Sequence, residues 1–413
     1  MRRIFLFLAI LLVLGNVQAQ DTITVMQYNL LQYGNYNSGY ADCYETNNNT
    51  QRKDECIRTL LNYVKPDILT VCEFGKTQQL QSDFLRHNLN INGVDYWGTD
   101  NIINYANQSI INHIFYDSRK MGLKSHVALS TRPRDTDVYE LYLKTTNLLA
   151  GDTIKLVCIV THPKAGISYE TERLTLMQTV MNYVSQHYAH DNVLIMGDFN
   201  IYRASEAGYQ TLTRTYQNSD ALFVDPLANL DGVGEWDRNI QFAPFHTQST
   251  RRYSNECFSS GGLDDRFDMI LMSDEIYMGF NKLKYVNNSY YAVGNDGNHF
   301  NLSIDQNGNN AVPYEVAEAL FDASDHLPVT MKMRVYNNWD VNEIAMDMVR
   351  VYPNPTTGVL HVDVPNPTMY RITNLMGQIL MSGQTNKEIN ISMLPDGLYF
   401  LYIDGVTKKI VKQ

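Results

Sequence analysis

A chain of 413 residues that is 44% hydrophobic is too long for one core and too apolar to be disordered, so two folded units are expected. Its formal charge of -11 excludes a general nucleic-acid coat protein, whose affinity rests on many Lys and Arg contacts to phosphate; an enzyme needs only a local basic rim. Arg2 and Arg3 precede the apolar run Ile4–Leu14, and Val17-Gln18-Ala19 carries small residues where a signal peptidase reads. Residues 1–19 are therefore expected to be a signal peptide, and cleavage before Gln20 takes the charge to about -13. No later stretch is long and apolar enough for a spanning helix, so an exported protein without an integral membrane segment is expected.

Thr22–Leu30 alternates polar and apolar residues, as a strand packed on one face does, and carries Asn29 at its end. A loop rich in Asn and Tyr runs to about Thr50, after which Ile57, Leu60, Leu61 and Val64 recur at helical spacing until Lys65-Pro66 stops them. Ile68–Cys72 is a buried strand closed by Glu73, a carboxylate that must meet solvent, a base or a cation. Residues 75–110 read as helix followed by loop. Asn112–Asp117 and Val138–Thr145 are strands flanking a basic turn that includes Arg119, Lys120, Arg132 and Arg134. Lys155–Thr161 is another strand and ends on His162; a lone histidine there is more often structural than catalytic.

A helix over 171–188, with Leu174, Met177, Val180, Met181, Val184 and Tyr188 on one face, leads into the apolar run Val193–Met196 and Gly197-Asp198-Phe199-Asn200. With a period of two, Asp198 and Asn200 face one side of the strand's mouth, although an Asx turn after a buried strand reads the same way. Residues 201–262 show no clear period. Asp264–Met272 reads as a strand opening on acids, Asp268 among them. After an Asn-rich stretch, Ser324-Asp325-His326 introduces the strand Thr330–Val335. Residues 336–349 read as a linker, and 350–413 as short strands broken by Pro and Gly turns, which predicts a small all-β sandwich. Cys72 and Cys158 lie in apolar strands and read as core thiols; Cys43, Cys56 and Cys257 lie in more polar surroundings, and Cys43 with Cys56 is the nearest pair.

The strand ends collect Asn29, Glu73, His162, Asp198, Asn200, Asp268, Asp325 and His326, which combines the hard oxygen ligands that Mg²⁺ prefers with two histidines. That set points to metal-assisted hydrolysis. No H-E-x-x-H or close Cys pair points to zinc, and no G-x-S-x-G elbow points to a serine hydrolase. The ordered motifs M-Q-Y-N-L, P-D-I-L-T-V-C-E-F, T-H-P-K-A-G, M-G-D-F-N, D-R-F-D-M-I-L and S-D-H-L-P-V resemble the endonuclease/exonuclease/phosphatase family, from about Thr22 to Val335.

The resemblance implies an α/β fold for residues 20–335, a four-layer α/β sandwich of two packed mixed sheets flanked by helices. It implies a secreted phosphodiester hydrolase that uses Mg²⁺, with Mn²⁺ or Ca²⁺ as alternatives. A nuclease acting on DNA or RNA is the first expectation, a sphingomyelinase-like or phosphoinositide-type phosphoesterase the second, and a non-catalytic surface binding protein the reading of another class. Carried over by position, the resemblance makes Glu73 the main metal ligand, with Asn29 beside it and Asp325 in support. Asp198 and Asn200 would hold the attacking water and the scissile phosphate. His326, oriented by Asp268, would polarise that water or contact the phosphoryl oxygens, and His162 would lie on the phosphate or leaving-group side.

Lys164, Arg203 and Arg266, with Arg251 and Arg252, are the expected basic rim for substrate. Segment 31–50, rich in Asn, Tyr, Ser and Gly, suits base stacking better than membrane insertion. The motifs V-Y-P-N-P-T-T-G, I-T-N-L-M-G-Q and L-P-D-G-L-Y-F-L resemble a type A sorting domain of the type IX secretion system of Bacteroidetes. That implies export through the periplasm and outer membrane to the cell surface or medium. A monomer is expected.

Overall fold

The computed structural model describes residues 22–36, 42–144, 153–214, 216, 221–227, 236–306, 308–335, 349–364, 368–375, 377–385, 387–403 and 406–413. The expected leader and nearly all of the expected linker lie outside them. The chain begins β1 (Thr22–Tyr33), α1 (Thr50–Val64), β2 (Ile68–Gly75), α2 (Gln78–Phe84), β3 (Trp97–Thr99) and β4 (Ile110–Asp117). It continues through β5 (Met121–Leu129), β6 (Thr136–Leu143), β7 (Ile154–Thr161), α3 (Glu170–His187), β8 (Val193–Asp198), α4 (Ala207–Thr213) and β9 (Phe223–Val224). Then come β10 (Asp268–Ser273), α5 (Asp274–Met278), β11 (Leu283–Tyr285), β12 (Tyr291–Ala292), α6 (Tyr314–Ala323) and β13 (Val329–Val335).

One sheet has the order β11-β13-β1-β2-β4-β3, with β12 beside β13; the other has the order β5-β6-β7-β8-β10-β9. Both are mixed, since β1 runs parallel to β2 and β7 to β8 while the other pairs are antiparallel. The period of two divides the second sheet cleanly. Leu156, Cys158, Val160, Leu194, Met196, Ile270 and Met272 belong to the core between the sheets, whereas Val157, Ile159, Val193, Ile195, Met269 and Leu271 turn outward onto Leu176, Met177, Val180, Met181 and Val184 of α3. On the far side, Ile57, Leu60 and Leu61 of α1 and Val316, Ala317 and Leu320 of α6 cover the first sheet. This is the four-layer α/β sandwich that the motifs implied.

Several local readings change in the structure. β1 is buried on both faces, because helices cover one and the second sheet the other. Its polar groups are satisfied internally: Thr24 N donates to Asp67 Oδ2 at 2.8 Å, and Gln27 pairs with Thr70. The basic turn after β4 contains β5, and the Asn-rich stretch before Ser324 contains α6. The acid-led strand starts only at Asp268, since Asp264 and Asp265 pair instead with the loop residues Thr247 and Gln248. Cys43 bonds Cys257, not Cys56. Cys56 faces the core from α1, while residues 43 and 257 lie in two loops that meet over Leu31 and Phe258.

His113 on β4 is buried, with Nε2 2.6 Å from Thr99 Oγ1. Burial pushes its imidazole down to about 3. The unfolded chain takes up this proton below about pH 6.5 and the folded chain does not, so the stability is complete above that value and is lost as pH falls toward 3. Urea titrations of wild type and His113→Gln at several pH values are expected to show a shallower acid loss in the variant; parallel losses would mean that His113 is protonated in the fold.

Residues 350–413 form two small sheets, from β14 (Arg350–Tyr352), β15 (Val359–Asp363), β16 (Thr368–Thr373), β17 (Ile379–Thr385), β18 (Glu388–Asn390), β19 (Gly397–Ile403) and β20 (Val406–Lys412). Their orders are β14-β15-β18 and β17-β16-β19-β20, around Leu360, Val362, Ile372, Ile389, Leu401 and Ile403. Arg371 reaches Asp274 and Glu275 of α5 at 2.5 and 3.2 Å.

Candidate active site

β1, β2, β7 and β8 end at one edge of the sandwich, and the antiparallel strands β10 and β13 begin there. The register sets Asp268 opposite Asp198 and Asn29 opposite Cys72, one residue before Glu73. Bulges then re-aim the acids: pairing shifts between Asn29 and Tyr33 on β1 and between Val71 and Phe74 on β2. Leu31, Gln32, Glu73 and Asn200 all take left-handed backbone, with φ of 44°, 52°, 56° and 52°. Such conformations cost a non-glycine residue about 1–2 kcal/mol each, and their concentration here marks the place where the fold holds strain.

Gly197 makes the close approach of β8 to β7 possible. Its φ is 153°, and a Cβ there would lie 1.8 Å from Thr161 O. The contact sets His162 beside Asp198. Gly197→Ala is expected to cost about 3 kcal/mol in urea denaturation, because the strands must part; a wild-type midpoint would show that they can part freely.

Asp198 Oδ2 is the point of convergence. Asn29 Nδ2 donates to it at 3.0 Å, His162 Nε2 lies at 3.2 Å and His326 Nε2 at 3.8 Å. Asn29 Nδ2 also donates to Glu73 Oε1 at 3.2 Å, so Asn29 stands beside Glu73 but turns its amide nitrogen, not its oxygen, into the centre. Glu73 Oε2 accepts from Gln32 N and Nε2 at 3.1 and 3.0 Å. Asn200 N donates to Asp198 Oδ1 at 3.1 Å. His326 Nδ1 lies 2.6 Å from Asp268 Oδ2, and Asp325 Oδ2 accepts from Ser259 N at 3.0 Å.

These contacts set the charges. Burial opposes the Glu73 carboxylate, yet the charges of His162, Arg134 and His326 hold it below its ordinary value. His162 and His326 do the same for Asp198. Burial and the Arg134 charge lower His162, against the Asp198 and Glu73 carboxylates, which raise it. His326 goes the other way: burial lowers it, but Asp268 and Asp198 outweigh burial and raise it well above 6.5.

The donor set fits a divalent cation. Among the described residues, Glu73, His162 and Asp198 each offer a ligand atom, all within 4.8 Å of one another. The buried Asp325 Oδ1 has no hydrogen-bond partner among the described residues and lies 4.0 Å from His326 Nε2. Two carboxylates with one imidazole are oxygen and nitrogen donors of the kind that hold a divalent cation, with no sulfur among them.

The expected rim is brought together only in part. Lys164 stands over the Tyr169 ring at 5.0 Å, and Arg203 pairs with Glu170 at 3.0 Å. Arg266 is buried instead, gripping Asp225 through two contacts of 2.8 Å, so its guanidinium serves the core beside Trp236. Arg251 is packed between the Phe258 and Phe321 rings. Besides Gln32 on Glu73, two further groups beyond the sequence-predicted set enter the site. Arg134 NH1 donates to His162 O at 2.9 Å, and Gln248 Nε2 lies 2.7 Å from His326 Nε2. Arg134 was visible only as part of a basic turn, and Gln248 sits in a stretch with no period.

Residues 350–413 match the family model described as a secretion system C-terminal sorting domain. This part of the chain is a sorting domain of the type IX route, which delivers the protein to the cell surface or the medium. No helix among the described residues is long and apolar enough to cross a membrane. No curated protein matches the chain significantly. Among solved structures, the chain is similar to D. rerio TDP2 complexed with single strand DNA product, with 13% identity, 76% of this chain and 99% of that one covered, and a TM-score of 0.45. It is similar to the human Nocturnin catalytic domain with bound sulfate anion, at 15% identity, 77% and 98% coverage, and TM-score 0.45. It is also similar to an endonuclease/exonuclease/phosphatase family protein from Bacteroides thetaiotaomicron, at 14% identity, 77% and 99% coverage, and TM-score 0.45.

Proposed function

We propose that this protein is a secreted, divalent-cation-dependent phosphodiester hydrolase that cleaves nucleic acid. The observation that carries the reading is the convergence of Glu73, His162 and His326 with Asn29 on Asp198 at one strand-end edge. Glu73 and Asp198 would hold the cation, with His162 and Asp325 beside it, and the ion would offset charge on the phosphoryl oxygens. Asp198 and Asn200, tied to each other through Asn200 N, position the water. His326, whose charged form Asp268 and Asp198 favour, would donate to a phosphoryl oxygen, and His162 would lie toward the leaving group.

Support for nucleic acid comes from exposed aromatics next to cations. Tyr253 is 72% exposed beside Arg252, and Tyr169 faces Lys164. The test is release from DNA, RNA, sphingomyelin and a phosphoinositide side by side in Mg²⁺. Cleavage of either nucleic acid supports the reading; phosphocholine or inorganic phosphate from lipid with nucleic acid left intact overturns the substrate, and no release from any substrate favours a binding protein. The sorting domain carries none of these groups, so a chain ending at Val335 is expected to keep its turnover rate in the same assay. Lost turnover in a folded truncation would give residues 350–413 a part in the chemistry.

A further inference from the structure

Lys53 lies in the first turn of α1 and is 1% exposed. Its Nζ donates to Leu30 O and Leu31 O, both at 2.7 Å, and stands 5.7 Å from the Phe258 ring. A buried amine is costly unless hydrogen-bonded, and main-chain carbonyls are what this one holds. Those carbonyls belong to the turn where β1 leaves its ladder, and Asn48 Nδ2 adds a second donor to Leu31 O at 2.9 Å. Both Leu31 and Gln32 are left-handed in this turn, a shape that bulky side chains do not keep without support. The next contact outward is the clamp of Gln32 on Glu73 Oε2, through its main-chain and side-chain nitrogens. With Oε2 held there, Oε1 is the oxygen turned toward Asn29 and His162.

We propose that Lys53 is a positioning residue for the cation site: it holds the Leu30–Leu31 carbonyls in the left-handed turn, so that Gln32 clamps Glu73 with Oε1 presented to the metal. The proposal rests on the metal reading above and adds the relay behind it. A side chain that only filled space here could be replaced by an apolar one of equal length; a side chain that holds carbonyls could not.

The test is calorimetric titration of Mg²⁺ into the chelator-stripped full chain. Lys53→Met is expected to weaken binding about tenfold or more, the scale seen when groups behind a metal ligand are removed. Gln32→Leu, which leaves Lys53 in place, is expected to do the same. The double variant is expected to bind no more weakly than the worse single, because both act through one clamp. Turnover of each variant should recover at raised Mg²⁺, which a loss of fold would not allow. Wild-type affinity in Lys53→Met, or losses that multiply in the double variant, would overturn the relay. Should Lys53→Met fail to fold, Gln32→Leu decides alone: weakened binding supports the relay and unchanged binding overturns it. Absence of binding by wild type would defeat the metal reading and the relay together, whereas wild-type binding that survives both substitutions defeats only the relay.

Discussion

His326→Ala is expected to lower turnover by about 10²–10⁴-fold, Asp268→Asn by a similar factor, and the double variant by no more than the larger single loss. The two side chains touch at 2.6 Å with both buried, and Asp268 and Asp198 favour the charged ring against the burial that opposes it. Without the carboxylate, the ring is free to lose its charge and its orientation. Without the ring, the carboxylate has nothing to orient. The effects are therefore one effect counted twice, and a double-mutant cycle on kcat, with thermal unfolding as the control for folding, measures it. Losses that multiply would mean that Asp268 and His326 act separately.

Glu73→Gln is expected to weaken Mg²⁺ binding by about 100-fold or more and to reduce turnover with it, while excess chelator abolishes turnover in wild type. The substitution keeps the shape and removes the charge. Gln32 N can still donate to an amide oxygen at that position, but the neighbouring charges that outweigh burial of the carboxylate are left without it, so the variant should stay folded and melt at or somewhat below the wild-type temperature. A stable variant without affinity assigns the carboxylate to the cation and not to the fold. Full activity of the wild type in excess chelator would end the metal mechanism.

The same physical distinction separates what was legible in the sequence from what was not. Glu73, His162, Asp198 and His326 could be read because each closes or opens an apolar run, and a polar group at the end of a buried strand is conspicuous in one dimension. The central strands and α1 and α3 were legible for the same reason, since a period of two or of 3.6 is a local property. Arg266 was misplaced because its position between Asp265 and Asp268 says nothing of Asp225, forty-one residues away, which pulls it into the core. Cys43 found Cys257 rather than Cys56 because two loops separated by 214 residues meet above β1.

The sequence by itself determined the strand ends, their chemistry and the sorting motifs at the C-terminal end, all of which are set by neighbours along the chain. Only the tertiary structure decided how those ends are aimed. The bulges at Asn29 and Glu73, the left-handed turn at Leu31 and Gln32, the Nζ of Lys53 behind it and the amide of Gln248 against His326 have no local signature. Each holds because a partner from another element supplies the hydrogen bond that offsets backbone strain or burial, and that partner arrives only when strands, helices and loops distant in the chain pack together.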